Sequence, residues 1–222
     1  MSNSQSIRIQ IDADTSVSGL LLVPPDARAI YVLAHGAGAG MAHAFMAAAA
    51  QGLAERGVAT LRYQFPYMER GSKRTDSPAV AHAAVRAAVA HAAQALPGMR
   101  LFAGGKSFGG RMTSQAQAVQ ALPGVQGLVF LGFPLHTDGA PATTRAEHLR
   151  EVRIPMLFVQ GTRDKLADIG LVRELAAQLG DSVTLMEIVE ADHSFHVLVR
   201  SGRKDPEVLR EVLDGAAAWM LR

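Results

Sequence analysis

The sequence predicts an α/β fold, a three-layer α/β/α sandwich around a mostly parallel sheet, with minimal or no lid. Three observations predict it. From residue 30 onward, apolar runs of strand length alternate with helix-length segments. The middle runs, such as 30–34 and 154–160, are apolar without alternation, as strands covered on both faces are. Two long irregular stretches interrupt the alternation, 64–76 and 134–153, and the twenty residues of the second are too few for a substantial covering domain.

The elements follow in order. Residues 7–11 alternate apolar and polar and predict a strand exposed on one face. Residues 17–23 predict a second, stopped by Pro24-Pro25, and the two are expected to form an antiparallel edge. A buried strand at 30–34 leads into the glycine-rich turn 35–40. A helix is expected over 43–56, ended by Gly57, and a strand over 58–63. Ser77-Pro78 opens a long helix reaching about Ala95, with serine placed to cap it and proline tolerated in the first turn. Strands are expected at 100–103, 125–133, 154–160 and 183–188, and helices at 108–121 and 168–179. Asp205-Pro206 opens the closing helix, whose apolar stripe is Leu209, Val212, Leu213, Ala216, Trp219 and Met220. That periodicity assigns Trp219 to the core rather than to a site.

The 222 residues suffice for one substantial core, and the whole chain, 1–222, reads as one domain. With 49% hydrophobic and 19% charged residues, the composition is that of a globular protein rather than a disordered one. The net charge is only +2, and arginines are scattered among acids without aromatic interleaving, so nucleic acid is not an expected partner. No run is long enough to span a membrane, and residues 1–6 do not resemble a signal peptide. Cysteine is absent, which removes disulfides, thiolate nucleophiles and thiolate metal sites and fits a cytoplasmic protein. The oligomeric state is left open.

The chemistry centres on Gly105-Lys106-Ser107-Phe108-Gly109, a Gly-x-Ser-x-Gly sequence between a predicted strand and a predicted helix. A nucleophilic serine on a sharp strand-to-helix turn needs small neighbours, and Gly105 and Gly109 supply them. Two later segments also follow strands: Gly161-Thr162-Arg163-Asp164 and Ala191-Asp192-His193-Ser194-Phe195. Acyl transfer requires a nucleophile, a base and a group that orients the base. Ser107, His193 and Asp164 are the candidates for those roles. All three fall where strands end, the edge at which open α/β sheets bind ligands.

The order Ser, Asp, His, together with these segments, resembles the α/β-hydrolase superfamily, and in particular small bacterial hydrolases similar to dienelactone hydrolases. The resemblance runs from about residue 30 to the last helix. It implies an oxyanion hole made of the backbone N–H groups of Ala37 and Phe108, with Gly36 and Gly38 shaping the first of these turns. It favours His193 over His196 as base, because Asp-His-Ser-Phe is the matching segment. Dienelactone hydrolases use a cysteine nucleophile, whereas this chain has Ser107, so lactone activity is not carried over.

Duller readings exist for each residue. Ser107 could be an ordinary helix cap, and Asp164 a turn residue. Asp192 and Glu187 are the alternative acids. Met41, Phe65, Tyr67, Leu135 and His136, joined by Phe45, form a candidate substrate pocket, or else pack against the two long loops. Arg111 and Arg145 could grip a substrate carboxylate or lie on the surface. His82 and His91 fall on a helix, and His35 merely precedes the glycine turn. Gly105-Lys106-Ser107 imitates the end of a phosphate-binding loop, but Arg100 stands where its first glycine belongs; Met41 likewise spoils a dinucleotide fingerprint from Gly36, Gly38 and Gly40. No cofactor or metal is expected. The expected function is a serine hydrolase acting on a carboxylic ester of a small molecule, with a thioester or an amide left open as the bond cleaved. The competing expectation is a non-catalytic interaction protein that keeps the fold.

Overall fold

The computed structural model describes residues 4–222, so the reading of residues 1–3 falls outside the described residues. The strands are β1 (Gln5–Gln10), β2 (Ser16–Leu22), β3 (Ala29–Ala34), β4 (Val58–Tyr63), β5 (Arg100–Lys106), β6 (Val125–Leu131), β7 (Met156–Gly161) and β8 (Val183–Ile188). The helices are α1 (Ala44–Ala54), α2 (Pro66–Glu69), α3 (Pro78–Ala95), α4 (Phe108–Val119), α5 (Ile169–Leu179) and α6 (Asp205–Met220). One sheet takes all eight strands in the order β1-β2-β4-β3-β5-β6-β7-β8. β1 and β2 pair antiparallel, as expected, and β2 is antiparallel to β4; every other pairing is parallel.

Alternation along each central strand builds two cores. On β3, Ile30, Val32 and Ala34 face one cluster, while Ala29, Tyr31 and Leu33 face the other. Alanines of α3, Met112 of α4 and Val172 of α5 cover the first. Leu53 of α1 and Val212, Leu213 and Trp219 of α6 cover the second. Trp219 packs edge-on against Phe102 with ring centroids 5.8 Å apart, as its helical stripe predicts.

Several expected boundaries shift. β5 continues three residues past its expected end, to Lys106, because its glycines belong to the strand rather than the turn. A Cβ on Gly104 would lie 1.9 Å from the Val129 carbonyl oxygen of β6, and one on Gly105 would lie 2.2 Å from the Ala34 oxygen of β3. The backbones therefore approach more closely than any side chain permits. Gly105 also has φ +149°, outside the range L-residues favour. Gly105→Ala is expected to destabilise the fold by about 3 kcal/mol, lowering Tm by roughly 10 °C. Thermal or urea unfolding of the variant checks this, and a near-neutral result would mean that β3 and β5 can separate at no cost.

Ser77 makes no side-chain bond to α3, so Pro78 in the first turn is the part of that start signal which holds. The segment 134–153 carries a 3₁₀ helix, Thr144–Glu151, whose Ala146 and Leu149 are buried in the core. It packs down on α4 and builds no lid. The chain reverses direction across the sheet between β3 and β5: β4 lies on one side of β3, and β5 to β8 extend on the other. At such a switch point the loops after the two strands splay apart and leave a crevice.

Candidate active site

That crevice holds the candidate residues. The turn after β3 carries Gly36 and Ala37, and Ser107 joins β5 to α4. Ser107 has φ 50° and ψ −116°, one of three non-glycine residues with positive φ among those described. A side chain held there costs on the order of 1–3 kcal/mol, and the turn drives its Oγ out of the sheet edge. Gly109 permits this turn: a Cβ on it would lie 2.6 Å from both the Ala34 and His35 carbonyl oxygens.

Asp164 follows β7 and His193 follows β8, and the fold brings both to Ser107. His193 Nε2 lies 2.8 Å from Ser107 Oγ, and His193 Nδ1 lies 2.7 Å from Asp164 Oδ2. The Asp164 side chain is fully buried. Its Oδ2 also accepts from Gln160 Nε2 at 2.5 Å, and its Oδ1 from the Leu166 N–H at 2.8 Å. Gln160 is itself fixed, because its Oε1 accepts from the Phe133 N–H. With the carboxylate accepting, His193 carries its proton on Nδ1 and offers a lone pair at Nε2 to the serine hydroxyl.

The rival residues are engaged elsewhere. His196 is exposed and pairs with Asp205, which raises its pKa through that hydrogen bond and charge. Asp192 Oδ1 accepts from the Ser194 and His196 N–H groups and so closes its own turn. Glu187 pairs with Arg173 on the surface.

The first turn of the crevice is braced from below. His35 is fully buried; its Nε2 accepts from the Phe65 N–H, so Nδ1 is the protonated nitrogen and donates to the Gly36 carbonyl. Gly38, at φ +73°, donates its N–H to the Tyr67 hydroxyl. A Cβ on Gly36 would meet nothing closer than 3.6 Å, so that glycine is not demanded by space. The Ala37 and Phe108 N–H groups have no acceptor among the described residues.

Burial lowers the pKa of His35 to about 4. The folded state therefore resists a proton that the unfolded chain binds below its ordinary value of about 6.5. Stability is expected to fall as the pH drops from about 6.5 to about 4, with this one residue contributing roughly 1–3 kcal/mol. Burial of His148 acts in the same direction. Urea unfolding across this range should show a shallower slope in His35→Asn than in the parent; parallel slopes would remove His35 as a source.

The cavity beside Ser107 has a volume of about 370 Å³. Its wall includes Ala37, His43, Phe45, Met46, Lys106 and Leu166. Phe45 was expected there, but five other candidates are not in the wall. Phe65, Tyr67 and Leu135 are buried: Phe65 packs against His35 and Phe108, and Tyr67 supports the Gly38 turn. His136 donates from Nδ1 to the Thr137 carbonyl and accepts the Asp168 N–H, so it ties the start of α5. Met41 lines a separate groove with Ile7 and Arg8. Arg145 donates to the His136 carbonyl, and Arg111 lies outside the cavity wall. His82 faces Gln115 across α3 and α4. Position after a strand placed Phe65, Tyr67, Leu135 and His136 near the correct edge, but the inward turn of their loops buries these side chains.

His43, Met46, Lys106, Leu166 and Gln160 were not anticipated. Gln160 had a signal, a lone polar residue at the end of an otherwise apolar strand. Leu166 had none, since it enters through the loop after Asp164.

A sheet of this order, with a strained serine after β5 and an Asp–His pair after β7 and β8, has the α/β-hydrolase architecture. Residues 27–221 match the alpha/beta hydrolase domain family, and the chain belongs to it. The fold is shared with dienelactone hydrolase from Anabaena variabilis, at 21% identity and a TM-score of 0.79 over 99% of this chain and 97% of that one. A serine hydrolase without a lid from Xanthomonas campestris is 20% identical, with a TM-score of 0.74 over 99% and 96%. Est1E from Butyrivibrio proteoclasticus, with ferulic acid bound, is 18% identical, with a TM-score of 0.72 over 95% and 99%. No described helix is long and apolar enough to cross a membrane.

Proposed function

We propose that this protein is a serine hydrolase that cleaves carboxylic esters, thioesters included, of small molecules. The observation that carries this reading is the continuous chain Ser107–His193–Asp164, at 2.8 and 2.7 Å, ending on a serine at positive φ. Ser107 Oγ attacks the acyl carbon while its proton passes to His193 Nε2. Asp164 holds the ring and stabilises the imidazolium that forms. The oxygen of the tetrahedral intermediate faces the Ala37 and Phe108 N–H groups, which are otherwise unengaged. His193 then returns the proton to the departing alkoxide or thiolate, leaving an acyl-serine. Water attacks that ester with His193 again as base, and Ser107 Oγ recovers the proton.

The cavity supports small substrates. Its volume of about 370 Å³ is near the lower end of the range for ligand pockets, and Phe45, Met46 and Leu166 give it an apolar wall. The names of the structural relatives, a dienelactone hydrolase and a lidless serine hydrolase, are consistent with this chemistry. The test is to treat the purified protein with a fluorophosphonate and to assay a short p-nitrophenyl ester. A labelled Ser107 and ester turnover are the expected results. A folded protein with neither would favour an interaction role that keeps the fold.

A further inference from the structure

Lys106 stands immediately before Ser107, at the end of β5, and lies along the cavity wall. Its Nζ donates to the backbone carbonyl of His193. The ammonium sits over two ring faces, 5.3 Å from the centroid of Phe195 and 5.9 Å from that of Phe45. Those rings are stacked on each other at 6.0 Å. Among the described residues no carboxylate forms an ion pair with Lys106. Asp164 and Asp192 act on it from longer range, His43 and His193 line the same cavity, and the end of β6 presents Gly132. A Cβ on Gly132 would lie 2.8 Å from Nζ, so the glycine keeps that space open.

Phe195 is also strained. Its φ of 63° is unusual for a bulky side chain, and it brings the ring onto Lys106. A part-buried cation met by one carbonyl and two aromatic faces is a costly arrangement for mere packing. A methionine would fill such a space without a charge to desolvate.

We propose that Lys106 is a positioning residue: by donating to the His193 carbonyl from its place over the Phe45 and Phe195 rings, it locks the base-bearing loop to the strand that carries the nucleophile. The inference rests on the serine-hydrolase reading for its effect on catalysis, but not for its effect on the loop. The donor is charge-assisted, and its cation–π contacts exist only while it is protonated. Burial lowers its pKa to about 8, against the opposing pull of the two aspartates. The lock should therefore loosen as the pH rises through that value.

The experiment compares the parent with Lys106→Met, which keeps the length of the stem and removes the donor. On a neutral p-nitrophenyl ester, kcat should fall at least about ten-fold, with KM changed less than about two-fold. The parent's kcat/KM should decline with a midpoint near 8, and this alkaline limb should vanish in the variant. Hydrogen exchange in residues 191–197 should quicken in the variant. Unchanged exchange, or an alkaline limb that persists in Lys106→Met, overturns the proposal. If the parent is neither labelled nor active, the hydrolase reading fails, and exchange in the loop alone decides the role of Lys106. If the variant does not fold, the ¹³Cε titration of Lys106 in the parent is set against the pH profile. Coincident midpoints support the lock, and flat activity through the lysine titration refutes it.

Discussion

Ser107→Ala is expected to abolish fluorophosphonate labelling and to lower turnover of a short p-nitrophenyl ester at least about a thousand-fold. The reason is specific to the turn. Oγ is the atom 2.8 Å from His193 Nε2, and alanine removes it while changing little else. Alanine keeps a Cβ in the same positive-φ conformation, so the elbow, the Phe108 N–H and the Ala37 N–H should stay in position. Residual activity would then measure what the cavity and these donors contribute without a covalent intermediate. Steady-state assays with active-site titration check the result. Turnover within ten-fold of the parent would remove Ser107 as nucleophile and direct attention to a water activated by His193.

Asp164→Asn should lower kcat by about a thousand-fold or more with little change in KM. The surrounding donors dictate this outcome. Both carboxylate oxygens accept: Oδ2 from His193 and Gln160, and Oδ1 from the Leu166 N–H. An asparagine has one oxygen for these two positions. If its oxygen serves Leu166, its NH₂ group faces His193 Nδ1 and forces the proton onto Nε2. That tautomer points a donor at Ser107 and cannot take its proton. If the oxygen faces His193, it still accepts from Gln160, but the NH₂ group opposes the part-buried Leu166 N–H, donor against donor. Kinetics on the folded variant, with NMR of the His193 imidazole tautomer, check this. Parental kcat in Asp164→Asn would exclude Asp164 from orienting the base.

Much of this architecture was legible from local sequence. The apolar runs at 30–34, 154–160 and 183–188 correspond to β3, β7 and β8 within two residues at either end. The first two need no tertiary information, because a strand buried on both faces is built from apolar residues, whereas β8 is a part-buried edge strand that carries Thr184 and Glu187. The Gly-x-Ser-x-Gly segment and the two later strand ends picked out the three residues that the fold brings together. The glycines of β5 misled at the level of boundaries: Gly104 and Gly105 read as a turn, yet they continue the strand between two backbones. Ser77 misled at the level of mechanism, since its side chain caps nothing.

The cavity wall was less legible. Phe65, Tyr67, Leu135 and His136 follow strands at the correct edge, but their loops fold inward and use them as supports. Lys106 and Gln160 carried little warning, being a lone cation and a lone amide at the ends of strands. Their partners, the His193 carbonyl and Asp164, are 87 residues and 4 residues distant in sequence.

By itself the sequence determined the layer architecture, the sheet edge that carries the candidate triad and the order of serine, acid and histidine. These depend on hydrophobic period and on residue types at strand ends, which neighbouring residues encode. Only the tertiary structure decided which side chains face the cavity and that Lys106 Nζ donates to the His193 carbonyl. Those outcomes depend on where loops from distant strands turn and on which buried donors find acceptors. Both are set by packing across the sheet rather than by any local pattern.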